Sequence, residues 1–232
     1  MSWTLANLDL ILELTLEHIR LAIIPIIASF VLSIPLGWLA IRNRVTRAVV
    51  ITSGSLLYTI PSLPLFVILP LIIGSRVLDD INLIVALSIY GVAVMVRSAA
   101  DGLASVDRVT LDAATAMGFS AWTRFWRVQL PLAGPVLLAG IRVVSVSTIA
   151  LVSVGVIIGS SNLGDLFRDG KNRQILEEVG VGIIMSLLLA LLFDLIIVLA
   201  GRLLLPWNRT DTRRGSVRQA ATVTPPALDV RI

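Results

Sequence analysis

The stretch Val179-Gly-Val-Gly-Ile-Ile-Met-Ser-Leu-Leu-Leu-Ala-Leu-Leu-Phe-Asp194-Leu-Ile-Ile-Val-Leu-Ala-Gly-Arg-Leu-Leu-Leu205 carries two charges, Asp194 and Arg202, in 27 residues. About 20 apolar residues in a helix suffice to cross a hydrocarbon core of about 30 Å. An exposed strand or loop is excluded there, because lipid offers no partner to a bare backbone amide. Four further stretches share this character: residues 19–41, 48–74, 81–103 and 131–158. The reading is therefore an all-α, polytopic transmembrane bundle of about five spanning helices. Residues 48–74 hold Pro61, Pro64 and Pro70. This span is expected to be tilted, kinked or split, and six spans is the nearest rival count.

Composition agrees. Of 232 residues, 56% are hydrophobic and 15% charged, against about 25% charged in soluble domains. A chain this apolar cannot cover its own surface with polar groups, so lipid must cover it. The net charge of +4 does not mark a nucleic-acid binder, because the basic residues form no aromatic-interleaved patch. With no cysteine, disulfides and cysteine-ligated metals are excluded. The N-terminal region carries Asp9, Glu13 and Glu17 rather than the basic start of a cleaved signal, so the first span is expected to be retained.

Arginine placement sets the expected orientation. Arg42, Arg44 and Arg47 follow the first span, and Arg108, Arg124 and Arg127 separate the third from the fourth. Arg202, Arg209, Arg213, Arg214, Arg218 and Arg231 lie at or beyond the end of the fifth. The opposite side offsets Arg20, Arg76, Arg168, Lys171 and Arg173 with acids such as Asp79, Asp80, Asp165 and Glu177. The N-terminus is thus expected outside a bacterial cytoplasmic membrane and the C-terminus in the cytoplasm. Residues 209–232, rich in Arg, Thr and Pro, are expected to form a disordered tail, leaving residues 1–208 as the membrane domain.

The loop between the third and fourth spans reads Asp107-Arg-Val-Thr-Leu-Asp-Ala-Ala-Thr-Ala-Met-Gly-Phe-Ser-Ala-Trp-Thr-Arg-Phe-Trp-Arg-Val-Gln-Leu-Pro131. Its pattern predicts two short helices broken at Gly118. In the first, Leu111, Ala114 and Thr115 share a face at helical spacing. In the second, Trp122, Phe125 and Trp126 fall on one side, with Arg124 and Arg127 beside them, as suits a helix at a membrane interface. Pro131 is expected to open the fourth span, where a missing amide costs little.

Asp112-Ala113-Ala114, three residues, Gly118, nine residues and Val128-Gln129-Leu130-Pro131 resemble the Glu-Ala-Ala loop of bacterial ABC importer permeases. Asp112 stands where that family has glutamate, and Val128 where it has isoleucine. The resemblance implies a coupling helix seated in a groove of a separate cytoplasmic ATPase. ATP would be bound by that partner, so the chain itself would be no enzyme and hold no cofactor. Asp112 would orient the loop, Ala113 and Ala114 would allow close docking, and Gly118 would turn the chain before Leu130 and Pro131. Tyr58-Thr-Ile-Pro-Ser62, Ala139-Gly-Ile-Arg142 and Ile158-Gly-Ser-Ser-Asn-Leu-Gly-Asp165 are similar to the permeases of osmoprotectant importers, which carry glycine betaine, choline or carnitine. Ser161-Asn162 stand where that pattern has glycines. The implied partners are the ATPase, an extracytoplasmic solute-binding protein, a second permease subunit, identical or homologous, and membrane lipid.

Charges within the spans are costly unless they face protein, water or a partner. Arg97, Arg142 and Asp194 all fall in the cytoplasmic half of their spans, and Asp194 is expected to pair with one or both arginines. Tyr58, Thr59 and Ser62 at the proline-rich span are candidates for a translocation path, with kink packing as the equal alternative. His18 is expected at the outer interface, with no metal-ligand partner at suitable spacing. Gly134, Ala139, Gly140, Ser145 and Ser147 permit close helix contact, within the bundle or with a second subunit. No phosphate-binding glycine loop or nucleophile elbow is present, and one histidine does not furnish a lipid-acting enzyme. The functional reading is an ABC permease for a quaternary-amine osmoprotectant. The alternatives are an ABC permease for an amino acid or other small polar solute, and an ion-coupled secondary transporter.

Overall fold

The computed structural model describes residues 2–209. The expected tail lies outside the described residues, except Arg209 at the end of a short 3-10 turn, Pro206–Arg209. A first short helix, α1 (Ser2–Ala6), is joined at Asn7 to α2 (Leu8–Ala40). Then come α3 (Arg44–Thr59), α4 (Ser62–Ile73) and α5 (Asp80–Ala104). The loop holds α6 (Arg108–Ala116) and α7 (Ala121–Arg124), and α8 (Leu130–Val152) follows. The chain ends in α9 (Gly164–Arg173) and α10 (Leu176–Leu204). No strand occurs among the described residues.

At the centre stands α5, packed against α2, α3, α4 and α8. Small residues let these backbones approach. A Cβ added at Gly37 of α2 would stand 2.7 Å from that of Ala99 on α5, and one at Gly140 of α8 would meet Ser98 at 2.5 Å. Gly134 lies likewise under Leu205, and Ser145 is fully buried. These small residues therefore serve contacts inside the bundle; Ala139 alone of that set is exposed.

The expected second span is broken. Helices α3 and α4 meet at 104° across Ile60 and Pro61. Proline at 61 holds the preceding residue extended, and Ile60 has φ −63° and ψ 126°. The two pieces still make one crossing. Near its start α3 is tied to the C-terminal end of α5 by Arg47 Nη2 on Asp101 Oδ1, 2.5 Å. Just beyond α4, Ser75 hydrogen-bonds Asn82 near the N-terminal end of α5. Asp101 and Asn82 are about 28 Å apart along a helix of 1.5 Å rise per residue. Among the described residues five spans result, not six.

The end of the bundle opposite α6 is held by polar side chains. Asp80 pairs with Arg20 of α2 and accepts a hydrogen bond from Ser160 Oγ at 2.6 Å. Ser160 follows the 3-10 turn Ser153–Ile158 that closes α8. Asn162, fully buried, donates from Nδ2 to the Ser160 carbonyl at 2.9 Å and accepts from Gly164 N–H at 2.7 Å. The side chain expected to be glycine thus organises the turn itself.

Candidate functional site

Helix α6 projects past the other end of the bundle, and each of its ends has a local cause. Asp107 caps it by accepting from Val109 N–H at 3.1 Å. Gly118, at φ +86°, closes it: Phe119 N–H reaches the Ala114 carbonyl at 3.1 Å and Gly118 N–H the Thr115 carbonyl at 2.9 Å. This double closure needs a left-handed residue at position 118, which glycine adopts without Cβ strain. Ser120 then caps α7 through Thr123 N–H at 3.2 Å.

The face of α6 splits. Ala114 is 1% exposed and Leu111 packs on the core, so these two seat the helix on the bundle. Asp112, Ala113, Ala116 and Met117 face away from it. Ala114 is therefore a seat within this chain rather than part of a free docking surface beside Ala113. Thr115 is exposed and accepts from Arg124 Nη1 at 2.5 Å, bracing α6 against α7.

The second loop helix is not separate from the fourth span. From α7 the chain passes through a π turn, Phe125–Gln129, straight into α8. Leu130 N–H reaches back to the Phe125 carbonyl. Pro131 lacks an amide and would crowd the carbonyl four residues earlier, and the widened turn just before it accommodates that demand. Proline does not open the helix here; it sits one residue inside α8. The three aromatics also divide. Phe125 is buried against Trp38, ring centroids 5.9 Å apart, while Trp122 and Trp126 pack edge to face outside at 5.6 Å. Gln129, the unspecified position of the loop motif, donates to the Leu103 carbonyl at 3.1 Å and fastens this junction to the end of α5.

Asp194 pairs with Arg142 through two bonds, Nε–Oδ1 at 2.6 Å and Nη2–Oδ2 at 2.9 Å. The two-pronged geometry suits a guanidinium and a carboxylate. Arg97 takes no part. Its Nη2 donates to Ser55 Oγ at 3.5 Å on α3, and Asp101 goes to Arg47. Of the two arginines expected for Asp194 it takes one, Arg142, which ties α8 to α10, while Arg97 leaves α5 on the side facing α3.

At the broken span, Tyr58 is exposed and packs edge to face on Tyr90 of α5 at 6.0 Å. Thr59 bonds the Ser55 carbonyl at 2.9 Å, and Ser62 begins α4. The decisive residue was missed: Tyr90 Oη donates to the Ile60 carbonyl at 2.5 Å. That carbonyl sits at the break, so it lacks a helical partner. A tyrosine one residue before Gly91 on a span was the available signal. Tyr58, Tyr90, Ser147 and Thr148 line one small cleft. His18 is fully buried inside the bundle, with Nε2 3.0 Å from the Ile149 carbonyl near the end of α8. No cluster of three metal-ligating side chains occurs among the described residues.

Five crossings among the described residues, one of them broken, with a capped helix carried beyond one end, define a multi-pass membrane protein. Residues 33–210 match the family of binding-protein-dependent transport system inner membrane components. The chain belongs to this family and is an ABC importer permease. It is 29% identical to the osmoprotectant import permease protein OsmW of Salmonella typhimurium over 83% of this chain and 90% of that one. It is 29% identical to the choline transport system permease protein OpuBB of Bacillus subtilis, covering 83% and 87%. Its fold matches a chain of the inward-facing MetNI methionine ABC transporter with a TM-score of 0.72 at 18% identity, covering 86% and 98%.

Proposed function

We propose that the chain is the membrane-spanning half of an importer for a small quaternary-amine osmoprotectant such as glycine betaine, choline or carnitine. A separate cytoplasmic ATPase grips α6, and a solute-binding protein delivers the cargo on the opposite side. The observation that carries the ATPase contact is the division of α6: Leu111 and Ala114 seat it, leaving Asp112, Ala113 and Met117 to a partner. Support for the cargo comes from the likeness to OsmW and OpuBB, permeases named for osmoprotectant import and choline transport. Support for the binding protein comes from the family's description and from a Helicobacter pylori relative. That relative is named ergothioneine transport permease/ergothioneine binding protein EgtU, 32% identical over 71% of this chain and 29% of its own length.

The orientation follows from the arginines. Arg42, Arg44, Arg47, Arg108, Arg124 and Arg127 gather at the α6 end, so that end faces the cytoplasm and the N-terminus lies outside. Residues 1–208 form the transmembrane unit, which works beside a second permease subunit. Bending between α3 and α4 widens or narrows the cleft beside Tyr58, Thr59 and Ser62, and the Arg142–Asp194 tie keeps α8 and α10 moving together.

Uptake of labelled choline and glycine betaine is the test, in vesicles holding this chain with its ATPase and binding protein. ATP-dependent accumulation that methionine does not compete away is expected. Accumulation driven by an ion gradient without ATP overturns the reading. Ala113→Arg, which places a long side chain on the free face of α6, is expected to abolish uptake without changing membrane insertion.

A further inference from the structure

Where α2 ends and α3 begins, a cavity of about 260 Å³ opens at the α6 end of the bundle. Four of its eight lining residues are arginines: Arg42, Arg44, Arg47 and Arg108, and none is acidic. They come from three segments: the turn after α2, the first turn of α3 and the first residue of α6. Two are partly engaged. Arg42 lies over the Trp38 ring at 4.6 Å, and Arg47 pairs with Asp101. The side chains of Arg44 and Arg108 make no hydrogen bond or ion pair among the described residues.

Their positions are electrostatically adverse. Arg44 and Arg108 are the first residues of α3 and α6, at the ends where backbone amides already concentrate positive charge and anions are favoured. A topology signal needs arginine on this side of the membrane; it does not need two of them at helix starts around one cavity. The nearby acid Asp107 is occupied in capping α6. This chain's own remainder does not supply the missing charge. Residues 210–232 bring Arg213, Arg214, Arg218 and Arg231 against Asp211 and Asp229.

We infer that this pocket binds a phosphate group, that of an anionic phospholipid headgroup. Guanidinium forks match phosphate oxygens in pairs, and helix starts add backbone donors beyond the capped ones. Trp38 below Arg42, and the exposed Trp122 and Trp126, place the pocket at the level where aromatic rings meet headgroups. Occupancy would neutralise Arg108 and steady the start of α6, so lipid charge would tune the docking loop. Only this last consequence rests on the coupling role proposed for α6.

The test uses the purified full chain, stripped of lipid. Phosphatidylglycerol, phosphatidylcholine and inorganic phosphate are titrated, with bound lipid read by native mass spectrometry and phosphate by tryptophan fluorescence. Phosphatidylglycerol is expected to bind, and Arg44→Gln/Arg108→Gln to weaken it at least about tenfold. Arg213→Gln/Arg214→Gln, which removes the same charge from the tail, is expected to leave binding intact. Arg44→Lys/Arg108→Lys, which keeps the charge but not the guanidinium fork, is expected to recover part of it, showing that charge rather than folding was lost. If inorganic phosphate binds more tightly, with the same loss in the glutamine pair, the phosphate site stands and its source is soluble. Binding unchanged in the glutamine pair, or equally weakened in the tail pair, overturns the inference. So does normal lipid binding with lost ATPase co-purification, which would make these arginines a protein contact. No ATPase or cargo enters the binding titrations, so their failure leaves the importer reading intact.

Discussion

The two ends of the bundle are built on opposite plans. At the end away from α6, polar side chains find partners within the chain: Asp80 serves both Arg20 and Ser160, and Asn162 closes its own turn with two buried hydrogen bonds. At the α6 end, Leu111 and Ala114 seat α6 and a few ties such as Gln129 to Leu103 and Arg47 to Asp101 hold its surroundings, while Arg44, Arg108 and Asp112 are left facing outward. A buried polar group must be matched inside, because leaving it unmatched costs about 1–3 kcal/mol. An exposed one can wait for a partner. The first plan makes a scaffold and the second, on the coupling role proposed for α6, a grip, so substitutions at the two ends should fail in different ways.

The largest effect is expected at the scaffold end. Asn162→Ala strips the Ser160 carbonyl and the Gly164 amide of a buried partner at once. The expected destabilisation is about 2–4 kcal/mol, seen as a lower melting temperature of the purified chain and lower yield. Uptake per folded molecule should be unchanged. Normal melting with reduced uptake would mean that this end takes part in transport, and the contrast between the ends would fail.

Gly118→Val comes next and fails in the other manner. A β-branched residue at φ +86° is strained, and the double closure of α6 is lost. Coupled uptake is expected to fall on the order of tenfold, read in proteoliposomes with the ATPase present, while melting shifts little because α6 buries little. Loss of folding instead would show that α6 belongs to the scaffold.

How far the sequence was legible follows the same divide. Spans were legible because lipid demands long apolar helices, and Gly118 because one backbone conformation there requires glycine. The Arg142–Asp194 pair was legible because a charge in a span has few places to go. Which side of a span faces protein was not. Both lipid and core accept leucine, so α5, the most covered span, and α10, the barest, read alike: 56% against 6% of their apolar windows lie buried. Ala114 illustrates the cost, since a small residue suits a seat and a docking face equally. The roles of Tyr90, Gln129 and Asn162 were illegible for a different reason. Each satisfies a backbone group freed by an irregularity, at the α3–α4 break, the π turn and the turn after α8, and a residue pattern does not reveal where the backbone will leave its ladder.

Tyr90→Phe sharpens the comparison within the membrane, between the two ends. It keeps the ring against Tyr58 and removes only the hydroxyl on Ile60. A loss of about 1 kcal/mol is expected, with the KM for uptake shifted more than the melting temperature, because the bond holds the bend rather than the core. A variant with unchanged KM would make Tyr90 a packing residue only.

The smallest effect is expected at Arg97. An arginine in a span invites the view that it must be paired, and Asp194 stands ready with two oxygens, yet both go to Arg142. The single bond of Arg97, 3.5 Å to Ser55, lies at the limit of useful length, and its side chain is exposed. Arg97→Gln is therefore expected to change stability by no more than about 0.5 kcal/mol, whereas Asp194→Asn should lower folded yield by leaving Arg142 unmatched. The two variants, compared by melting temperature in the same detergent, separate a tie from a bystander. A large loss at Arg97 would have to come from a partner outside this chain, and the surface of α5 beside α3 would then be where the second permease subunit lies.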